Sequence, residues 1–196
     1  MSQLELVAPG LRRWTAWHDE WKEPVGSVAV DTDRGIVLID PLDPPRGLAR
    51  PDHVLLTVYW HIRSAPELAA DEVWSSRRGA RPLHNRGVDV TGTVEESDLP
   101  GGIRAFPTAR SSEVVYWLPD QQALVVGDVL LGAGAKPRPT REPLRQCPES
   151  WLGKATHEDL RQSLRPLLDL PVQRVLVSHG EPLLRGGKKA LERVLA

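Results

Sequence analysis

Cysteine, phenylalanine and methionine are scarce in this chain, with one residue of each in 196. A single cysteine, Cys147, excludes an internal disulfide framework and a Cys-rich zinc site. An excess of charge of either sign is also lacking. Lys and Arg number 25 against 26 Asp and Glu, a formal net charge of -1. No global field draws such a chain to nucleic acid or to a membrane surface, and neither is expected as a partner. No apolar run approaches the length of a membrane span. No basic segment with an apolar run follows Met1, so no signal peptide is expected. The expectation is a soluble, cytoplasmic protein whose length suits one domain, residues 1–196, with a substantial core. Against these scarcities stand seven tryptophans, which read first as core and interface packing.

Apolar, β-branched runs mark strands at 4–7, 11–17, 27–32, 35–40, 53–58, 103–106, 114–118, 123–126 and 172–178, with shorter ones at 72–74 and 88–90. Asp31-Thr32-Asp33-Arg34-Gly35 supplies the turn of a hairpin. Ser64 and Glu67 have the spacing of a capping box, with Pro66 in the first turn, and predict a helix over 65–70. Thr156 and Asp159 start a second helix. Its Leu160, Leu164, Leu167 and Leu168 share one face, and Pro166 shortens it. Gly186-Gly187 opens a third, with Ala190, Leu191, Val194 and Leu195 inward. The basic segment 77–85 and the proline-rich segment 132–153 show no period and read as loops. The second is long enough to predict a functional role beside the cleft. This order gives a mixed α/β chain and leaves the topology open.

The stretch 53–68 organises the rest. A buried strand passes through a tight turn carrying Tyr59, Trp60 and His61, which places loop side chains at the carboxyl end of a sheet, where α/β folds bind ligands. His61-Ile62-Arg63-Ser64-Ala65 resembles the His-Ile-Gly-Gly-Ala that closes the first metal-binding motif, H-x-H-x-D-H, of the metallo-β-lactamase superfamily. Three further segments extend the resemblance over nearly the whole chain: 35–40, ending in Asp40; 125–130, with Gly127-Asp128; and 175–182, with His179. The fold this implies is α+β, an αβ/βα sandwich of two mixed sheets with outer helices. The departures are specific. Trp60 stands in place of the motif's Asp, and its first two histidines are missing. Pro107-Thr108-Ala109-Arg110-Ser111-Ser112-Glu113 replaces Pro-Gly-His-Thr-x-Gly-Ser without the histidine, so the family's first metal site is expected to be lost.

The resemblance therefore implies at most one metal, zinc or another divalent ion, on His61, Asp128 and His179. Two imidazoles and a carboxylate with open positions suit such an ion. Asp40 would orient the turn bearing His61. Tyr59, Trp60, Arg63 and Arg110 fall in motif loops expected at the cleft, where the arginines suit either an anionic group or a solvated rim. The implied activity is hydrolysis of an ester, thioester or similar bond in a small molecule. The alternative has no metal. His61 and Asp128 then bond each other, His179 is structural, Trp60 fills the vacated space, and the cleft is a small-molecule or protein-binding module. His18, His53, His84 and His157 match no motif and are expected at the surface. Cys147, with no base partner in the sequence, reads as a free thiol.

Overall fold

The computed structural model describes residues 3–95 and 97–196. Strands β1 (Glu5–Ala8), β2 (Leu11–His18), β3 (Glu23–Thr32) and β4 (Gly35–Ile39) form an antiparallel meander. Strands β5 (His53–Leu55), β6 (Glu72–Ser75) and β7 (Gly92–Thr93) extend it in parallel, so the seven strands of this sheet lie in chain order. Later in the chain come β8 (Arg104–Pro107), β9 (Val114–Leu118), β10 (Ala123–Val126), β11 (Leu130–Gly132), β12 (Leu144–Gln146) and β13 (Arg174–Val177). The second sheet has the order β13-β10-β9-β8, with β13 parallel to β10, and β11 and β12 pair as a separate ribbon. The helices are α1 (Arg77–His84), α2 (His157–Leu164) and α3 (Gly187–Val194).

The inner strands are apolar throughout because both of their faces are covered. In β9, Val114, Tyr116 and Leu118 enter the core between the sheets, while Val115 and Trp117 pack on the opposite face. The inter-sheet core joins them to Val28, Val37, Ile39 and Leu55 of the first sheet and to Val125 and Leu176 of the second. Outside the first sheet, Ala29, Leu38 and Val54 meet Leu83 of α1. Outside the second, Leu124 and Val175 meet Leu160 and Leu164 of α2 and Ala190 and Leu191 of α3. Two sheets thus lie face to face with helices on the outer sides, the α+β sandwich that the resemblance implies.

Two helix expectations fail in opposite directions. Residues 77–85, expected as a loop, form α1. The Ser76 hydroxyl caps it by accepting the Gly79 N–H at 3.2 Å. Pro82 removes one internal hydrogen bond, but Leu83 is fully buried, a contribution of about 2–3 kcal/mol that holds the short helix in place. Conversely, 65–70 is only a 3-10 turn, Ala65–Leu68, and the Ser64–Glu67 box does not form. Ser64 Oγ instead accepts the Asp43 N–H at 3.0 Å, tying down the proline-rich loop. The Thr156–Asp159 capping box does form, at the start of α2. No strand forms at 88–90, and the segment 132–153 is not pure loop, since it contains β12 and the 3-10 turn Glu149–Trp151.

The carboxyl ends of parallel strands carry the site. Asp40 follows β4, His61 lies in the 3-10 turn Tyr59–Ile62 beyond β5, Asp128 follows β10, and His179 follows β13. The sheets approach each other here through Gly26, whose N–H donates to the Ser178 carbonyl at 2.8 Å. A Cβ at this position would meet the Val177 carbonyl oxygen at 2.6 Å, so only glycine lets β3 come this close to β13. The close approach also brings Glu23, at the start of β3, to His179.

Candidate metal centre

His61, Asp128 and His179 converge from three distant segments, with one donor atom of each within 4.8 Å of the others. All three residues are buried. His61 Nε2 lies 3.1 Å and His179 Nε2 3.2 Å from the same oxygen, Asp128 Oδ1. Neither lies in strict hydrogen-bond geometry, and among the described residues these two imidazoles are the only groups facing the buried Oδ1.

The other face of each imidazole is taken. His61 Nδ1 lies 2.8 Å from Asp40 Oδ2. Asp40 is itself held by the Thr57 N–H at 2.8 Å and by the Thr57 hydroxyl. His179 Nδ1 lies 2.6 Å from Glu23 Oε1, and Glu23 Oε2 accepts the Lys136 N–H at 3.1 Å. A carboxylate at Nδ1 fixes the ring and its tautomer, with Nδ1–H donating and the Nε2 lone pair turned the other way. Two lone pairs then face one carboxylate oxygen. Three electron-rich atoms at this separation require a positive charge among them, either a proton or a metal ion. The donor set, N2O with carboxylates behind both rings, fits zinc or iron.

The titration behaviour expresses the same demand. Burial and the Arg63 cation push the His61 imidazole down, but Asp128 and Asp40 outweigh them and carry it up to about 9. His179 also rises, because Asp128 and Glu23 outweigh its burial. Burial pushes Asp128 up, yet the two imidazoles hold it well below the usual carboxylate range.

Asp128 Oδ2 has different company. It accepts the Trp60 indole N–H at 2.9 Å and the Arg110 guanidinium at 3.0 Å. That guanidinium stacks over the Trp60 ring, 4.4 Å from its centre, and reaches Glu113 Oε2 at 3.4 Å. Glu113 Oε1 takes the backbone N–H groups of Asp128 and Val129 at 2.6 and 2.9 Å. Gly127 makes room for this, since a Cβ there would meet Glu113 Oε1 at 2.8 Å and Thr57 Oγ1 at 2.6 Å. Burial pushes Glu113 up to about 7, with the charge of Asp128 adding to the rise and Arg110 opposing it.

Aromatic rings cover the centre. The Trp21 ring stands 5.2 Å from that of His179 and 5.1 Å from that of Trp151. Trp14, Trp74 and Trp117 are core residues, as expected of tryptophan, but Trp21, Trp60 and Trp151 surround the site. Trp151 places the end of the 132–153 segment beside the cleft. Tyr59, Trp60 and Arg110 line a cavity of about 650 Å³. Arg63 does not line it. Its guanidinium turns inward to the carbonyls of Gly26 and Asp40 at 3.0 and 2.9 Å, at a backbone φ of 39° that favours the glycine of the motif it resembles. Of the remaining histidines, His53 is buried, bonded to the Arg34 carbonyl and paired with Glu72, contrary to the surface position expected. His18 is half-buried at the end of β2, where it accepts the Trp21 N–H. His84 is exposed beside Asp89, and His157 is half-buried against the Cys147 carbonyl. Cys147 is a buried free thiol that burial pushes up to about 12. Sequence reading did not identify Glu23, Glu113, Trp21 or Trp151 as parts of the site.

No family model and no curated protein sequence matches the chain, whereas solved structures do. A metallo-β-lactamase from Pontibacter korlensis is 17% identical, with a TM-score of 0.67, over 98% of this chain and 99% of that one. The metallo-β-lactamase FIM-1 from Pseudomonas aeruginosa, in its mono-zinc form, is 11% identical, with a TM-score of 0.64, over 99% and 96%. TTHA1623, solved in a di-iron-bound form, is 24% identical, with a TM-score of 0.62, over 90% and 96%. Identities this low carry the fold and not the activity. Alike to these structures along almost its whole length, with its chemistry gathered at the carboxyl ends of the strands, the chain has the αβ/βα sandwich fold of the metallo-β-lactamase superfamily.

Proposed function

We propose that this protein is a single-metal hydrolase, holding one zinc or other divalent ion on His61 Nε2, Asp128 Oδ1 and His179 Nε2 and acting on an ester- or thioester-like bond of a small molecule. One observation carries the reading. Each imidazole gives Nδ1 to a buried carboxylate and turns Nε2 to the same buried oxygen, Asp128 Oδ1. A bound divalent ion supplies Lewis acidity at the carbonyl to be cleaved. The chain's own groups do the positioning. Asp40 and Glu23 hold the two rings, and Trp21 and Trp151 exclude water from one side. Arg110 uses only Nη1 in its bonds to Asp128 and Glu113. Its Nε and Nη2 make no bond among the described residues. Because Arg110 and Trp60 already occupy Oδ2, the reading allows one ion and not two.

Hydrolysis of p-nitrophenyl acetate and of S-phenyl thioacetate tests it. Turnover should fall to background after dialysis against chelator, return with one equivalent of zinc, and stay absent in His179→Ala. Turnover that survives chelation, or that persists in this variant, contradicts the reading. A metal-free small-molecule-binding module is the second reading, favoured by the Trp60 and Arg110 bonds that satisfy Asp128 Oδ2 without any metal. It is marked by protein that contains no metal when purified without chelator and still binds ligand.

A further inference from the structure

The cavity of about 650 Å³ beside the centre is lined by Tyr59, Trp60, Arg78, Arg110, Trp151 and Lys154, together with small and apolar residues. Its charge is one-sided. Three cations line it, and no carboxylate does so among the described residues, in a chain whose charges otherwise nearly cancel. Arg78 and Lys154 are exposed, and neither is paired with a carboxylate among the described residues. Arg110 adds its unbonded Nε and Nη2 edge, the geometry that grips a carboxylate or phosphate in two parallel bonds. The walls are aromatic. Trp60 carries Arg110 on one face of its ring and meets Tyr59 at 4.7 Å, and Trp151 packs beside both Trp21 and His179. The inner wall is continuous with the centre, because Trp60 and Arg110 bond Asp128 and the Trp151 ring lies 6.4 Å from that of His179. A volume of this size suits a small organic molecule.

We infer that this cavity is a recognition subsite for an anionic head group, a carboxylate or phosphate, carried on a flat apolar body, with Arg78, Lys154 and the free edge of Arg110 binding the anion and the indoles of Trp60 and Trp151 flanking the body. This deepens the hydrolase reading, on which it rests only for calling the ligand a substrate. The anion subsite stands on side chains that need no metal. The three cations are spaced around one volume. Arg110 is paired through Nη1 with Asp128 and Glu113, but Arg78 and Lys154 have no counter-ion among the described residues. An entering anion therefore gains charge-assisted bonds, whereas a neutral molecule of the same shape gains only the stacking.

Calorimetric titration with 2-naphthoate, 2-naphthyl phosphate and the uncharged 2-naphthamide tests the inference, on the protein as purified and again after dialysis against chelator. At least one anion should bind about tenfold more tightly than the amide, in both preparations, and the tighter of the two identifies the head group. Arg78→Ala and Lys154→Ala, at exposed positions that leave the core intact, should each weaken that anion by up to about fivefold and leave the amide unchanged. Equal binding of anions and amide, no saturable binding of either anion, or anion binding unaltered in the double variant would overturn the subsite. Loss of anion binding on chelation alone would assign the anion to a metal and overturn it as well. A protein that binds no metal yet retains the anion preference would sink the hydrolase reading and leave the subsite standing.

Discussion

The two oxygens of Asp128 solve the same electrostatic problem in different ways. Oδ1 faces two imidazoles whose charge depends on protons. Oδ2 faces an indole and a guanidinium whose charge is permanent. A proton on an imidazole can be exchanged for a metal ion, but an arginine cannot be deprotonated to make room for one. On the proposed reading, one side of the carboxylate is an exchangeable cation site and the other is closed by a covalently attached cation. Arg110 follows Ala109, the residue that stands where the resembled motif has its histidine, so the loop that lacks that imidazole is also the loop that brings a permanent cation to Asp128.

The largest expected effect comes from removing the charge that both sides share. Asp128→Asn leaves Arg110 and the imidazoles without their common anion, and breaking a buried pair of this kind costs about 3–5 kcal/mol. Urea unfolding should show that loss, and zinc competition should show little remaining affinity. If stability is unchanged, the charges are not coupled through Asp128. Next come the carboxylates behind the rings. Asp40→Asn and Glu23→Gln should each lower zinc affinity by about 10–100-fold while leaving the Arg110 side intact, and equal affinity in both variants would remove them from the account.

Proton competition gives the third effect. Both histidines have raised values in the metal-free protein, His61 up to about 9. Zinc must displace those protons, so its affinity should rise by about tenfold or more per pH unit between pH 7 and 9. The stability of metal-free protein should move the other way. A raised histidine contributes fully below its ordinary value near 6.5 and loses that contribution as pH climbs through the folded value. The metal-free protein should thus weaken toward pH 9, as read by thermal melts in chelator, and a flat profile would contradict the pairing with Asp128. Trp60→Phe gives the smallest effect. It removes the bond to Oδ2 and keeps a ring beneath Arg110, at a cost of about 1 kcal/mol. Because the Oδ1 side is untouched, zinc affinity should hardly change. A large fall would mean that the two sides are not separable.

Those groups differ in how well the sequence announced them. Asp40, His61, Asp128 and His179 were legible through the resemblance of four segments, in order and spacing, to the superfamily's motifs. Each segment alone is weakly specific, and nothing in composition or periodicity requires these residues to meet, although the structure does gather His61, Asp128 and His179. Glu23 was not legible, because its role depends on a partner 156 residues away and on a glycine three residues later whose meaning lies in the approach of β3 to β13. The buried role of Glu113 likewise rests on Gly127, a distant residue small enough to admit it. α1 was hidden by Pro82 and by its arginines, although Ser76 as a cap and Gly79 and Leu83 at a four-residue spacing were the available signals. The Ser64–Glu67 pair misled in the other direction, because a capping pattern has no force when its hydroxyl is claimed by a neighbouring loop. Trp21 and Trp151 meet over His179 from opposite ends of the chain, and nothing local to either marks it as a cover.

Counting metal ions by native mass spectrometry, on protein purified without chelator and then supplied with excess zinc, tests the central claim most directly. One zinc per chain in the wild type and none in Asp128→Asn is the predicted result. Two zincs in the wild type would show that Arg110 and Trp60 do not close the second position, and no zinc, or one retained by Asp128→Asn, would show that His61, Asp128 and His179 are not the metal site.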